Sequence, residues 1–174
     1  DDLRAFCWCR EERLPLYASP ETLQVLQTMY PWAFSPDNTY QGYVRPDARP
    51  VQREFRIGSI SVIPVPVLHG NVQTNGYVFQ YSGKRVGYIC DVKSIPASSM
   101  ELLKDLDVLI LDCLKRLDHP THLSLEENLE IMNQVQPKSG YLTHISHDFD
   151  YEELSGQLSP HVMPAYDGMK IEIY

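Results

Sequence analysis

The chain has 174 residues, 43% of them hydrophobic, which suffices for one sizeable core and a single domain over residues 1–174. A formal charge of -8, with no run of Lys or Arg, makes nucleic acid a poor partner, because phosphate neutralisation needs a clustered basic surface. No stretch approaches the roughly 20 apolar residues that span a bilayer, and the first residues lack the basic-apolar-small pattern of a secretory signal, so the expectation is a cytoplasmic protein with no membrane partner.

The opening Asp1-Asp2-Leu3-Arg4-Ala5-Phe6 reads as a helix entered midway. The four cysteines, at 7, 9, 90 and 113, form no C-x-x-C pair and no disulfide framework, so reduced thiols are expected. Cys7 and Cys9, around Trp8, read as helix residues, with a metal or redox site as the alternative. The stretch from Tyr30 to Pro50 mixes Pro, Asp, Tyr and Arg without periodicity and reads as a surface loop, serving as a pocket entrance or an oligomer contact.

Strand patterns begin at Phe55. Residues from Ile57 to Leu68 are β-branched and apolar, with Pro64 and Pro66 pointing to an edge or irregular strand that runs into His69-Gly70-Asn71. Gly76 to Tyr81 and Arg85 to Cys90 flank Ser82-Gly83-Lys84, a hairpin signal, and the second strand ends at Asp91. Cys90 and Cys113 fall inside apolar strand patterns, where a thiol acts as a small hydrophobe. A helix is expected after Pro96, with Met100, Leu102, Leu103 and Leu106 on its apolar side. Val108 to Leu111 reads as a strand buried on both faces, ending at Asp112. Ser124 and Glu127 form a capping box for a helix carrying Leu125, Leu129, Met132 and Val135, with His122 just before the cap. Tyr141-Leu142-Thr143 is a strand ending at His144. A helix over Tyr151 to Leu158 and strands around Val162 and from Lys170 to Tyr174 close the chain, with Asp167-Gly168 as the last tight turn.

Strands alternate with helices, an α/β layout, and His69, Asp91 and His144 each stand where an apolar strand stops. Loops beyond strand ends are where α/β folds collect ligands and catalytic groups. Two imidazoles and a carboxylate can hold a divalent ion, and a carboxylate can bridge two. Taken singly, a His or Asp at a strand end is more often a cap, a turn residue or a hydrogen-bonded structural group than a ligand.

The segment Leu142-Thr143-His144-Ile145-Ser146-His147, the strand-end Asp91, the strand end Val67-Leu68-His69 and the closing Tyr166-Asp167-Gly168-Met169 together resemble the C-terminal two-thirds of the metallo-β-lactamase superfamily. Within it they most resemble the phosphoribosyl cyclic phosphate phosphodiesterase branch of carbon-phosphorus lyase pathways. The resemblance implies an αββα sandwich whose N-terminal portion is missing. It also implies that His69 ligates a first metal, that Asp91 bridges both metals and acts in catalysis, that His144 ligates the second, and that His122 is an active-site histidine near substrate or leaving group. The family's upstream His-x-His-x-Asp-His motif occurs nowhere in the 174 residues, although its usual continuation resembles Asp1-Asp2-Leu3-Arg4. The expectation is an upstream segment that supplies it; the alternative is a truncated, metal-free domain acting as a binding or assembly module.

The chemistry so implied is hydrolysis of a small anionic, cyclic phosphodiester. Two ions, about 3.5–4 Å apart, would acidify a water and offset charge on the oxygens of an in-line displacement. Zinc and manganese suit the ligands, and iron is compatible. His122 would protonate the leaving oxygen. His147 is either a support for the site or a loop residue, His119 and His161 read as structural or exposed, and Asp112 either orients an imidazole or caps a loop. Thioester or lactone hydrolysis and tRNA processing share the same metal chemistry. A homodimer follows only from the family.

Overall fold

A computed structural model describes residues 2–8 and 10–173, so Cys9 and Tyr174 lie outside the described residues. The chain forms two compact units, Asp1–Arg53 and Glu54–Tyr174.

In the first unit a 3-10 turn, Asp2–Cys7, precedes β1 (Leu14–Ala18), α1 (Pro20–Met29), α2 (Pro31–Phe34) and β2 (Pro46–Pro50). Strands β1 and β2 pair in parallel, from Leu14 opposite Pro46 to Ala18 opposite Pro50. Helix α1 starts where the Ser19 hydroxyl accepts the Thr22 N–H at 3.2 Å and Pro20 occupies the first turn, where its missing N–H leaves nothing unpaired. The loop expected over Tyr30 to Pro50 is therefore only partly a loop. Prolines mark the new elements: Pro31 opens α2, and Pro46 and Pro50 bound a strand with only one paired side.

The second unit is built on a seven-stranded sheet in sequential order: β3 (Phe55–Ile57), β4 (Ile60–His69), β5 (Val72–Tyr81), β6 (Lys84–Ile89), β7 (Val108–Asp112), β8 (Ser139–Thr143) and β9 (Val162–Pro164). The first three pairings are antiparallel and the last three parallel. The stretch expected as one strand from Ile57 to Leu68 is split by a turn at Gly58-Ser59, with Gly58 at φ 58. At the next hairpin Ser82 and Gly83 both have positive φ, 48 and 77, as a two-residue type I′ turn requires. Pro64 and Pro66 sit in β4 past the short reach of β3. The Leu68 N–H points to Ser94 at 2.9 Å, so the prolines two and four residues earlier turn their hydrogen-free nitrogens to the same edge.

One face of this sheet carries Val65, Val67, Val78, Ile89, Leu109 and Leu111, all fully buried. Leu103 and Leu106 from the segment after α3 (Ala97–Met100) and Met132 from α4 (Leu125–Val135) pack into the same cluster. Helix α4 has the expected capping box, with Ser124 and Glu127 bonding each other's backbone N–H. The other face carries the row Tyr77, Tyr88, Ile110, Tyr141 and Met163 in register, with Phe79 and Val86 alongside. A sheet apolar on both faces is an inner layer of a layered α/β domain. Residues 170–173 form no strand. Ile173 lines a pocket with Ile60, Phe79, Tyr81 and Val86, so it covers strand side chains instead of extending an edge. The turn at Asp167-Gly168 does form, with Gly168 at φ 84, and α5 (Tyr151–Gln157) precedes β9. No helix among the described residues is long and apolar enough to cross a membrane.

Strands β4, β6, β7 and β8 all run the same way, so their C-terminal ends share one side of the sheet. At the opposite end a single buried carboxylate ties three elements. Asp107 accepts the Arg85 N–H at 2.8 Å and Lys138 Nζ at 2.7 Å, with Lys84 3.7 Å away. The Lys138 hydrogen bond, then the Arg85 N–H, hold its carboxyl below the usual range. A depressed folded value means that stability is present above the unfolded carboxylate range and is lost as pH falls through the folded value. Asp107→Asn should therefore cost roughly 1–3 kcal/mol at neutral pH, with the difference from wild type shrinking under acid. Urea titrations at several pH values measure both.

Candidate metal centre and its supporting residues

The four strands that end together deliver four polar side chains to one place. His69 is the last residue of β4, Asp91 lies two residues past β6, Asp112 ends β7 and His144 follows β8 directly. Asp91 and His144 are held at φ 53 and 60, a left-handed conformation that non-glycine residues rarely adopt. Such strain costs roughly 1–3 kcal/mol each and persists where surrounding contacts over-determine the backbone, as at ligand clamps.

Those contacts are specific. Lys93 N–H and Ser94 N–H donate to Leu68 O at 2.6 and 3.1 Å, and the Thr74 hydroxyl donates to Asp91 O at 3.1 Å, which joins the Asp91 loop to the β4–β5 turn. Cys113 N–H donates to Thr143 O and Ser146 N–H to Leu114 O, which fixes both sides of His144. Gly70, at φ 61, lets the Thr121 loop come close: a Cβ there would stand 2.9 Å from Thr121 Cγ2.

The ring nitrogens are sorted by their partners. His69 Nδ1 is 2.8 Å from Thr121 O, and a carbonyl only accepts, so Nδ1 carries the proton and Nε2 is left for a ligand. His122 Nδ1 is 2.7 Å from Asp112 Oδ2, which leaves its Nε2 free in the same way. Asp112 is fully buried, and Oδ2 also accepts the Val92 N–H at 3.0 Å. Asn128, equally buried, donates to Asp112 O at 2.7 Å and so fastens α4 to this strand end.

These constraints bring the sequence candidates together. Ligand atoms of His69, Asp91 and His122 lie within 4.8 Å of one another, and so do those of Cys90, Asp91 and His144. Asp91 belongs to both groups. The His122 ring stands 4.5 Å from that of His69 and 4.7 Å from that of His144. His144 Nε2 is 3.6 Å from Asp91 Oδ1. This donor set, nitrogen and carboxylate oxygen with free Nε2 atoms, fits a divalent cation.

The remaining histidines and cysteines take the following places. His147 projects into solvent, 3.6 Å from its neighbour Asp148. His161 lines a groove of about 1170 Å³ with α4 residues Leu125, Leu129 and Met132, away from the cluster. His119, expected to be structural or exposed, is half-buried with its ring 5.2 Å from that of His122 at a tilt of 43°, and its Nδ1 is 3.2 Å from the Thr121 hydroxyl. Cys90 is not in a strand: β6 stops at Ile89, and the thiol joins Asp91 and His144. Cys113 is the buried hydrophobe expected, its pKa pushed up to about 12 by burial and the Asp112 charge. Cys7 is buried in the first unit.

The chain belongs to the family described as the beta-lactamase superfamily domain, which matches residues 1–145. Its fold is the metallo-β-lactamase α/β fold. A crystal structure of a new diphosphatase from the PhnP family is 35% identical over 98% of this chain, with a TM-score of 0.86. Zn(2+)-bound PqqB from Methylobacterium extorquens is 15% identical, with a TM-score of 0.74 over 98% of this chain and 68% of its own, a likeness of fold alone. A curated octanoyltransferase of Porphyromonas gingivalis (strain ATCC BAA-308 / W83) is 29% identical over 98% of this chain. The chain spans 63% of the diphosphatase and 34% of the octanoyltransferase.

Asp112→Ala removes the acceptor of both Val92 N–H and His122 Nδ1. It should lower stability by about 1–3 kcal/mol and abolish a slowly exchanging His122 Nδ1–H resonance in proton NMR. An unchanged midpoint with the resonance retained would show that the carboxylate does not hold the ring.

Proposed function

We propose that the protein is a metal-dependent hydrolase of small phosphodiesters or diphosphates, working with two divalent ions. The observation that carries this reading is the membership of Asp91 in two adjoining ligand groups, which suits a carboxylate shared between two cations. His69 would hold one ion and His144 the other, with the remaining ligands drawn from an upstream His-x-His-x-Asp-His segment. Zinc and manganese both suit this donor set. When bound, the ions supply Lewis-acid charge and a water acidic enough to attack phosphorus at neutral pH.

The chain's own residues supply orientation and proton transfer. Thr121 O and Asp112 fix the two rings that flank Asp91, so neither has to reorganise when substrate arrives. With Nδ1 of His122 committed to Asp112, Nε2 is the nitrogen that exchanges a proton with the leaving oxygen. The protein's charge of -8 does not oppose an anionic substrate, because the local field of the ions dominates at the site. Lys93, two residues past Asp91, does not take the role of anion receptor: its ammonium is 2.5 Å from Asp118 and 2.6 Å from Glu127. The likeness to a PhnP-family diphosphatase supports a phosphorus-oxygen bond as the target.

The test is hydrolysis of a five-membered cyclic ribose phosphate by the full-length, manganese- or zinc-loaded protein, with metal content read in parallel. His69→Ala and Asp91→Ala should lose metal and activity together. His122→Ala should keep its metal and lose roughly 10²–10⁴-fold in turnover. Unchanged turnover removes His122 from the chemistry, and loss of metal with it makes the ring a ligand. A metal-replete wild type that opens no phosphodiester or diphosphate contradicts the reading.

A further inference from the structure

We propose that Cys90 is a sulfur ligand of this centre, placed with Asp91 and His144 to hold a thiophilic divalent cation. The inference rests on the metal-dependent reading above and adds to it the identity of the metal.

Position carries the argument. The backbone leaves β6 at Ile89 and turns into the left-handed Asp91, which swings residue 90 out of the sheet ladder and beside the carboxylate. The Cys90 sulfur, an Asp91 carboxylate oxygen and a His144 ring nitrogen lie within 4.8 Å of one another. Ligands of a single zinc stand at about 2.0–2.3 Å from the ion, hence ~3–4 Å apart, so a small rotamer adjustment closes the set. Cys90 is half-buried, open enough to reach an ion, whereas Cys113 is sealed in the core.

Sulfur changes what the centre selects. An all-nitrogen-and-oxygen site accepts manganese readily, while a thiolate favours zinc, cobalt and other softer ions. On binding, the S–H bond breaks, its proton passes to solvent and the sulfur lone pair goes to the cation, with no change of oxidation state. Cys90 thereby biases the centre toward zinc.

The experiment is titration of the metal-free full-length protein with cobalt(II), followed by electronic absorption. The wild type should develop a sulfur-to-cobalt charge-transfer band in the near ultraviolet together with visible ligand-field bands. Cys90→Ser should keep the visible bands and lose the near-ultraviolet one, and Cys113→Ser should keep both. In competition, Cys90→Ser should also lower zinc preference over manganese by at least about tenfold, the scale of even a supporting partner's loss. A wild-type spectrum with visible bands alone overturns the sulfur ligand and leaves the metal centre standing, without recourse to any variant. A near-ultraviolet band that persists in Cys90→Ser overturns it as well. Failure to take up cobalt at all overturns both the ligand and the metal-dependent reading.

Discussion

A fully buried carboxylate, Asp112, is the interaction on which the rest of the site depends. Its Oδ2 takes the Val92 N–H from the loop after β6 and the Nδ1 proton of His122 from the loop before α4. One acceptor thus fixes the spacing between the residue next to Asp91 and an imidazole that would otherwise turn freely. Asn128 holds the same strand end from α4, so the helix, the strand and both loops move as one piece. The other carboxylate oxygen, Oδ1, has no hydrogen-bond partner among the described residues. Desolvating an acceptor has a free-energy cost, and here it is borne where the histidine must be held.

The sheet separates stability from chemistry by strand direction. At one end Asp107 gathers Arg85, Lys138 and Lys84 in an arrangement that only closes the layers. At the other, β4, β6, β7 and β8 release His69, Asp91, Asp112 and His144 side by side, and two of these carry left-handed backbone. Backbone strain, free imidazole nitrogens and a shared carboxylate coincide at that end alone among the described residues.

Much of this was legible in the sequence because it is local. The Ser124/Glu127 capping box, the Ser82-Gly83 turn and the apolar run Val108 to Leu111 each specify their own geometry within a few residues. The ends of those runs then located His69, Asp91 and His144. Resemblance, not spacing, singles out His122, and local pattern leaves Asp112 between orienting an imidazole and capping a loop, a choice that its hydrogen bond to His122 Nδ1 decides. The Gly58-Ser59 turn carried a hairpin signal that the surrounding Ile57 and Ile60 masked. Strand β2 was hidden by its own prolines. The closing Lys170-Ile171-Glu172-Ile173 alternates like a strand, yet it forms none, and its Ile173 lines a pocket with Phe79 and Val86. Cys90, which reads as a strand residue, lies beyond the end of β6 near His144, a residue 54 positions away, and no local pattern encodes that.

The central claim, that strand-end residues of β4, β6 and β8 share divalent cations through Asp91, is most directly tested by anomalous diffraction from crystals of the full-length protein grown with zinc, recorded on both sides of the zinc edge. Anomalous peaks within bonding distance of His69 Nε2, the Asp91 carboxylate and His144 are the predicted result. Crystals soaked to saturation that show no peak among these side chains, or show zinc only at surface carboxylates, would contradict it.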